Sequence, residues 1–457
     1  MLLQPTVMKF GGSSLEDRAA FERVTRIVGS YDRVCSVVVV VSAMSSMTAD
    51  LLASAHLSAR GAIREAIELL EIQRRRHLAL TLELPRYEAN KVESFIENVW
   101  RELVCLLQEV RRTRAASQAS TDAVISYGEV LSAKLLTAIL QAEGLPAFYV
   151  DARRCIVTDQ DHGRAKPLLK STRRRTRAEI IPLLESGKIP ILGGFIATSK
   201  NGVPTTLGRG ASDYTATLVS AAIGARETQI WTDVDGILTA DPNVVESARS
   251  IACLSYAEAA ELSRFGAKVL HPKSIEPLAE QNLPLRVFNS RSPEFPGTLV
   301  CDSHSEPFPI GIKAIACKTN QTAIHLKLTR AYGLQSLSRA IQKTFRQHHL
   351  TADIIALTET VVMLACEQTD RLASIIRELE RFGPVTAKSD RALICCLVSE
   401  DCDLDGGVNW LRVSGVSVIA ELPQVRARQF VRDLHHHFFG DQVIPRWYTH
   451  DRISAMV

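Results

Sequence analysis

Through residues 1–300, short apolar runs rich in β-branched residues alternate with longer stretches in which apolar positions recur every three to four residues. Six of the short runs predict strands: Thr6–Phe10, Ser36–Val41, Ala147–Asp151, Ile189–Gly193, Glu227–Thr232 and Pro284–Phe288. Ala49–His77 and Glu129–Ala142 predict two of the intervening helices. The strands are apolar almost throughout rather than at alternate positions, so both faces of their sheet must be covered. The alternation predicts an α/β fold, a three-layer αβα sandwich around a mainly parallel sheet. Right-handed crossovers place the loops that follow the strands along one sheet edge, where ligands bind.

The pattern changes after Asn289–Pro309, a stretch rich in Pro, Ser and Glu that reads as a boundary. Beyond it, Ala323–Leu328 predicts a strand, Leu334–His348 a helix, and Asp353–Leu357 and Val361–Cys366 two strands. A helix with Leu372, Ile375, Ile376 and Leu379 on one face and a strand at Ala392–Ser399 complete a β-α-β-β-α-β order, that of small α+β modules. A strand at Val416–Glu421 and a helix over Val425–Phe439, with Phe430, Val431, Leu434 and Phe438 inward, begin a second such unit. The expected domains are residues 1–300, 313–380 and 381–457. The last is abbreviated between Glu400 and Val416 and is expected to be completed by residues 304–312.

Composition narrows the function. With 46% hydrophobic and 23% charged residues in 457, the chain has the apolar surface to fold, which excludes wholesale disorder. No stretch approaches the ~20 apolar residues of a membrane span, and residues 1–9 lack the pattern of a signal peptide. The net charge of +4 comes from well-mixed signs, so neither nucleic acid nor a membrane is an expected partner. The clusters Arg74–Arg76 and Arg173–Arg177 read as solvated faces. Ten cysteines without a C-x-x-C pair read as reduced thiols, hence a cytoplasmic protein.

The candidate chemistry lies at strand ends. Lys9 precedes Gly11-Gly12-Ser13-Ser14, where glycine amides can converge on an anion beside a point charge. Gly208-Arg209-Gly210-Ala211-Ser212-Asp213 opens an apolar helix; the Arg209 fork fits a carboxylate, while Ser212 or Asp213 can cap the helix. Thr232-Asp233-Val234-Asp235-Gly236 lacks the later ligands of a calcium loop and suits the edge of a nucleotide better. Lys268 could meet a phosphate, and Glu129 stands at a helix start. There is no P-loop, no protein-kinase signature and no G-x-G-x-x-G after a strand. His435-His436-His437 and Cys395-Cys396 lack zinc spacing, and no protein-held metal is expected.

In order along the chain, KFGGSS (9–14), VVSAMSSMT (40–48), SYGE (126–129), GGFI (193–196), TTLGRGASDYTA (205–216), WTDVDGILTADP (231–242) and GAKVLHP (266–272) resemble the aspartokinases of the amino-acid kinase superfamily. The resemblance covers essentially the whole chain and looks most like the single-activity, lysine-sensitive type. It implies an amino-acid kinase fold followed by paired ACT modules, with ATP-dependent phosphorylation of the aspartate β-carboxylate as the activity. By motif, Lys9 would neutralise the transferring phosphoryl group, Asp213 would organise Lys9, and Arg209 would clamp the α-carboxylate with Ser42, Thr48 and Ser212. Glu129 would meet the α-ammonium. Gly11, Gly12, Ser13, Thr232, Asp233, Gly236 and Lys268 would hold ATP, with Mg²⁺ carried on its phosphates. Lysine or threonine is the implied effector, near Ser338, Thr351, Asp353 and Glu359, and a homodimer or dimer of dimers the implied assembly.

Three positions depart from the family pattern. Ala211 stands where a second glycine is usual, which costs ~1 kcal/mol or more if that residue needs positive φ and nothing otherwise. Leu238 replaces a tyrosine and Asn243 a basic residue, both on the nucleotide side. The residues leave two alternatives: a sibling kinase acting on glutamate without the Arg209–Glu129 clamp, and a non-catalytic or altered-specificity amino-acid sensor on a kinase scaffold.

Overall fold

The computed structural model describes residues 4–208, 210–267, 270–302, 311–348, 350–369, 371–399, 402, 404 and 408–440. In chain order the first part comprises β1 (Thr6–Phe10), α1 (Arg18–Asp32), β2 (Val37–Val41), α2 (Met47–Ala59), α3 (Ile63–Ala79), α4 (Arg86–Thr113), α5 (Gln118–Ile125) and α6 (Tyr127–Ala142). β3 (Ala147–Val150), the single-turn α7 (Ala152–Cys155), β4 (Val157–Thr158), α8 (Leu169–Glu185), β5 (Ile189–Gly193), β6 (Ile196–Ser199) and β7 (Pro204–Thr206) follow. Then come α9 (Ser212–Ile223), β8 (Glu227–Thr232), β9 (Cys253–Ser255), α10 (Tyr256–Arg264), the single-turn α11 (Glu276–Ala279), β10 (Leu285–Asn289) and β11 (Thr298–Cys301).

Eight of these strands form one sheet in the order β3-β5-β2-β1-β8-β10-β11-β9. It is parallel from β3 to β10, and β11 is antiparallel to β10. α1 and α6 pack on each other over one face, and α8 and α9 over the other, which gives the expected three layers. β2, five consecutive valines, is fully buried, because a strand covered on both sides has no solvent face. Phe10, Trp231 and Phe288 stack across β1, β8 and β10 at centroid separations of 5.9 and 4.6 Å, and Tyr31 meets Trp231 edge-on.

Four expectations need correction. The stretch Ala49–His77 is two helices, broken at Gly61, whose φ of +89° ends α2 and reverses the chain. The boundary segment Asn289–Pro309 contains β11, which extends the first sheet as far as Cys301. Gln118–Ala142 is a helical run with mean hydropathy 1.5, long and apolar enough to cross a bilayer, contrary to the composition reading. Of its most apolar 18-residue stretch 78% is buried in the protein: it is apolar all round because α4 and the sheet surround it. In the last helix Val431 and Leu434 are buried as expected, but His435 and Phe439 join them, while Phe430 and Phe438 are only half-buried.

The second part comprises β12 (Ile312–Lys327), α12 (Leu334–Gln347), β13 (Asp353–Leu357), β14 (Val361–Glu367), α13 (Leu372–Leu379), β15 (Val385–Val398), β16 (Trp410–Ser414), β17 (Ser417–Pro423) and α14 (Gln424–Phe439). Its single sheet has the order β13-β14-β12-β15-β17-β16. β12 and β15 are far longer than the strands expected at 323–328 and 392–399, since both run through two halves of the sheet. Their pairing shifts between Lys318 and Ala323, where Asn320 takes a φ of +58°; the polar run Lys318–Gln321 hid the continuity. Most of the 304–312 segment lies outside the described residues; Ile312–Lys318 pairs with Leu393–Val398.

The two halves are held differently. Ile324, Leu326, Leu337, Ile341, Phe345 and Leu364 belong to a separate core beneath α12 and α13. Ile312, Ile315, Ile394, Leu397, Ile419 and Val431 belong to the core of the first sheet. Three residues of α10 fasten the sheets together: Glu258 pairs with Lys313 at 2.8 Å, Glu261 accepts from Ser417, and Arg264 donates to the Ile354 carbonyl. Truncating the central aromatic, Trp231→Ala, should cost ~3–5 kcal/mol. Urea unfolding checks this through a lower midpoint for the first-sheet transition, leaving that of the separate α12–α13 core unmoved.

Candidate active site

The strand ends converge because glycines let them. A Cβ on Gly193 would stand 2.8 Å from the Glu129 Cβ, and one on Gly194 would stand 2.6 Å from the Ser212 Cβ. The end of β5 thus takes the starts of α6 and α9 at backbone distance, which brings Glu129 beside Ser212 and Asp213. β1 lies between β2 and β8 with Lys9 opposite Val40 and Ile230. Its end turns into a single 3₁₀ turn, Gly12–Leu15.

Lys9 Nζ stands 2.7 Å from Asp213 Oδ1, with the two side chains 12% and 8% exposed. Asp213 Oδ2 accepts the His271 N–H at 3.2 Å. Neither Ser212 nor Asp213 caps α9; Ala211 holds the cap position and both polar residues lie inside the first turn. The Asp213 carboxylate is therefore turned to Lys9 and to the loop after α10. Ala211 has φ −84°, a conformation any residue adopts, so the missing glycine is silent.

Glu129 is buried in the first turn of α6, and its Oε2 has no hydrogen-bond partner among the described residues. Burial pushes its carboxyl up to about 8, against a smaller opposing effect of the Ala43 amide. An unpaired buried acid of this kind calls for a cation. Ser42 closes β2 with its N–H on the Phe10 carbonyl, and Thr48 lies in the first turn of α2. Lys9, Ser42, Thr48 and Glu129 thus all lie at or just beyond the ends of β1, β2 and β5.

On the other side of Lys9, Gly11 donates its N–H to the Trp231 carbonyl at the end of β8. Ser14 shares a hydrogen bond with Ser290, which donates to the Thr232 carbonyl. Thr232 and Asp233 line a cavity with Leu238 and Asn243 on one wall and Ile315, Ala316 and Val431 on the other. Gly236 is not among the lining residues; its φ is +101°, and a Cβ there would stand 2.5 Å from the Thr298 Oγ1. The far wall therefore comes from β12 and α14 of the second sheet, where His435 bonds to Thr239 and Arg432 donates to the Val244 carbonyl. Burial and the neighbouring Arg249 lower His435 to about 4, so it serves as a neutral hydrogen-bonding partner. Arg209 and Lys268 lie outside the described residues.

Of the expected effector residues, Asp353 opens β13 and is held by Lys318 at 2.6 Å and by Arg264 at 3.6 Å. Thr351 precedes that strand and is exposed, Ser338 is half-buried in α12, and Glu359 is exposed in the turn beyond the far end of β13. Asp353 and Glu359 are thus at opposite ends of the strand.

Sequence reading missed two supports. Arg76 was taken for part of a solvated face, yet it donates to the Glu16 carbonyl at 3.0 Å and the Ser45 carbonyl at 2.9 Å. It ties α3 to the loops after β1 and β2. Asp122 is fully buried and accepts from Thr206, Gly163 and His162, pinning the segment that leads to Gly208. A carboxylate inside the apolar, hydroxyl-rich run Gln118–Ile125 was the available signal for it.

A doubly covered parallel sheet whose switch-point loops gather a lysine, an aspartate and glycine amides defines a phosphate-handling α/β enzyme. The amino acid kinase family model matches residues 4–289. The lysine-sensitive aspartokinase 3 of Escherichia coli is 34% identical over 412 residues, covering 88% of each chain. Aspartokinase 2, chloroplastic, of Arabidopsis thaliana is 30% identical over 463 residues, covering 95% of this chain and 84% of its own. The crystal structure of E. coli aspartokinase III with aspartate and ADP, in its R-state, matches with a TM-score of 0.83 at 31% identity, covering 95% and 100% of the chains. The same enzyme with lysine and aspartate, in its T-state, matches at 0.72. The chain belongs to the amino acid kinase family and, within it, to the aspartokinases.

Three outcomes follow from this geometry. With Glu129 neutral below about 8, affinity for a substrate ammonium should climb as pH rises towards 8, and Glu129→Gln should bind weakly at every pH. Because the folded carboxyl sits above its unfolded value, the buried acid favours folding below about 4.5 and progressively less as pH rises through 8. Thermal melts should show Glu129→Gln gaining on the parent chain over that interval. Arg76→Ala, which removes those two charge-assisted hydrogen bonds to carbonyls, worth ~1.5–3 kcal/mol each, should lower kcat/KM at least tenfold. Arg75→Ala, an exposed side chain whose one partner among the described residues is Glu71 on the same helix, should not.

Proposed function

We propose that the chain phosphorylates the β-carboxylate of L-aspartate with ATP to give 4-phospho-L-aspartate, the first step towards lysine, threonine and methionine, under feedback control. The observation that carries it is the buried Lys9–Asp213 pair set between the unpaired Glu129 carboxyl and the cavity at Thr232. A carboxylate is already a nucleophile at neutral pH and needs no general base. Its oxygen bonds to the γ-phosphorus as the bond from that phosphorus to the β–γ bridging oxygen breaks, and ADP leaves with the electron pair. Negative charge spreads over the transferring group, so catalysis is positioning plus cationic stabilisation.

In this reading Lys9 Nζ meets the phosphoryl oxygens, and Asp213 keeps that ammonium aimed. Glu129 ionises on receiving the α-ammonium, while Arg209, Ser42, Thr48 and Ser212 take the α-carboxylate. Gly11, Gly12 and Ser13 cradle phosphate oxygens; Thr232, Asp233, Gly236 and Lys268 hold the remainder of the nucleotide. Mg²⁺ on the nucleotide phosphates supplies further charge neutralisation. Among the described residues no group of three His, Cys, Asp or Glu side chains is placed to hold such an ion alone.

For regulation, residues 1–300 are read as the kinase domain and 313–380 and 381–457 as two ACT modules. A cationic amino acid, lysine first, would compete for Asp353 with Arg264 and Lys318, with Ser338, Thr351 and Glu359 as neighbours. The edge strand β13 is an unpaired sheet margin that a second copy can cover, which supports a homodimer. Buried thiols at Cys155, Cys366, Cys395 and Cys396 suit a reducing cytoplasm.

Hydroxamate formation from aspartate, ATP and hydroxylamine tests the activity. Turnover on aspartate well above that on glutamate is expected, and Lys9→Met should cut kcat by ~10²–10³, the loss typical of one preorganised donor to developing charge. Nucleotide-independent amino-acid binding without turnover would favour the sensor instead.

A further inference from the structure

We infer that the groove between α8, α9 and α11 is a second small-molecule site, built for a ligand with a carboxylate and an ammonium at opposite ends of an aliphatic stem. It lies outside the space at Lys9, and the proposal does not depend on the assigned reaction. The groove encloses about 430 Å³, within the ~300–1,000 Å³ usual for ligand sites. Its floor is the outer face of α9, where Tyr214, Leu218 and Ala222 are 8%, 4% and 3% exposed.

The two walls carry opposite charge. α8 and α11 both pack on α9. α8 presents Lys170 and Arg173 to the groove, and α11 with the residue after it presents Glu276 and Glu280. All four are exposed, and none takes part in an ion pair among the described residues. Opposite charges that face one another over an apolar floor without closing on it leave both ends of a complementary ligand to be supplied. An aliphatic stem on Leu218 and Ala222 would bury apolar surface on both partners. An α-amino acid holds its two charges one carbon apart and could satisfy only one wall. An ω-amino carboxylate spans both. Lys273, before α11, also lines the groove and reduces the charge of the acidic wall without reversing its sign.

The test is calorimetric titration of the full chain with 6-aminohexanoate, beside hexanoate and hexylamine, which each lack one end. Saturable binding of 6-aminohexanoate, at least tenfold tighter than either control, is expected. Lys170→Glu with Arg173→Glu should weaken it at least tenfold, as should Glu276→Gln with Glu280→Gln. Asp353→Asn, away from the groove, should leave it unchanged. None of these four wall residues touches the Lys9 site, so hydroxamate formation without the ligand should persist in both double variants and report that they fold. Absence of saturable binding, equal binding of the one-ended controls, or loss with Asp353→Asn but not with the wall variants would overturn the proposal.

Discussion

A single ion pair, Lys9 to Asp213 at 2.7 Å, joins the end of the central strand to the start of the helix that covers it. Both side chains are largely withdrawn from water, where a charge left without a partner would be costly. The pair therefore imposes geometry on its surroundings. Asp213 has to lie in the first turn of α9, and α9 has to approach β5 closely, which the absence of a side chain at Gly194 permits. The second carboxylate oxygen takes a backbone N–H from the loop after α10, so that loop is registered to the same point. On the proposed reaction, the Lys9 ammonium is the charge that meets the transferring phosphoryl group, and Asp213 fixes its position.

The second sheet is not an appendage to this arrangement. Its β15–β17 half shares the hydrophobic core of the first, and β12 and α14 form a wall of the cavity at Thr232. Its other half keeps a core of its own and meets the kinase part through Arg264. α10 is clasped at Glu258, Glu261 and Arg264 by both halves and leads directly into the loop whose His271 N–H holds Asp213. A change in how the first half sits is thus mechanically connected, through one helix, to the residue that aims Lys9.

Much of the architecture was legible because its signals were local. Thr6–Phe10, Ile189–Gly193 and Glu227–Thr232 are strands over the predicted residues, the first two because short apolar runs that meet a glycine have few other ways to fold. The glycine and lysine motifs declared where anions could approach. What stayed hidden depended on partners distant in sequence. β12 and β15 looked short because the polar runs Lys318–Gln321 and Lys388–Arg391 break the apolar pattern where each strand crosses between half-sheets. Arg76 looked solvated because nothing near it in sequence reveals that it reaches Glu16 and Ser45. Asp122 looked like an ordinary helix residue until Thr206 and Gly163 closed over it. Ala211 looked like a liability only while its φ was unknown.

The central claim is that Lys9 and Asp213 act as one unit on the phosphoryl group, and a double-mutant cycle in kcat measures that directly. Lys9→Met, Asp213→Asn and the double variant would be compared in single-turnover hydroxamate formation. If the pair works together, the double variant will be no slower than the Lys9 variant alone, because Asp213 has nothing left to aim. Losses that multiply, with each residue contributing independently of the other, would contradict it.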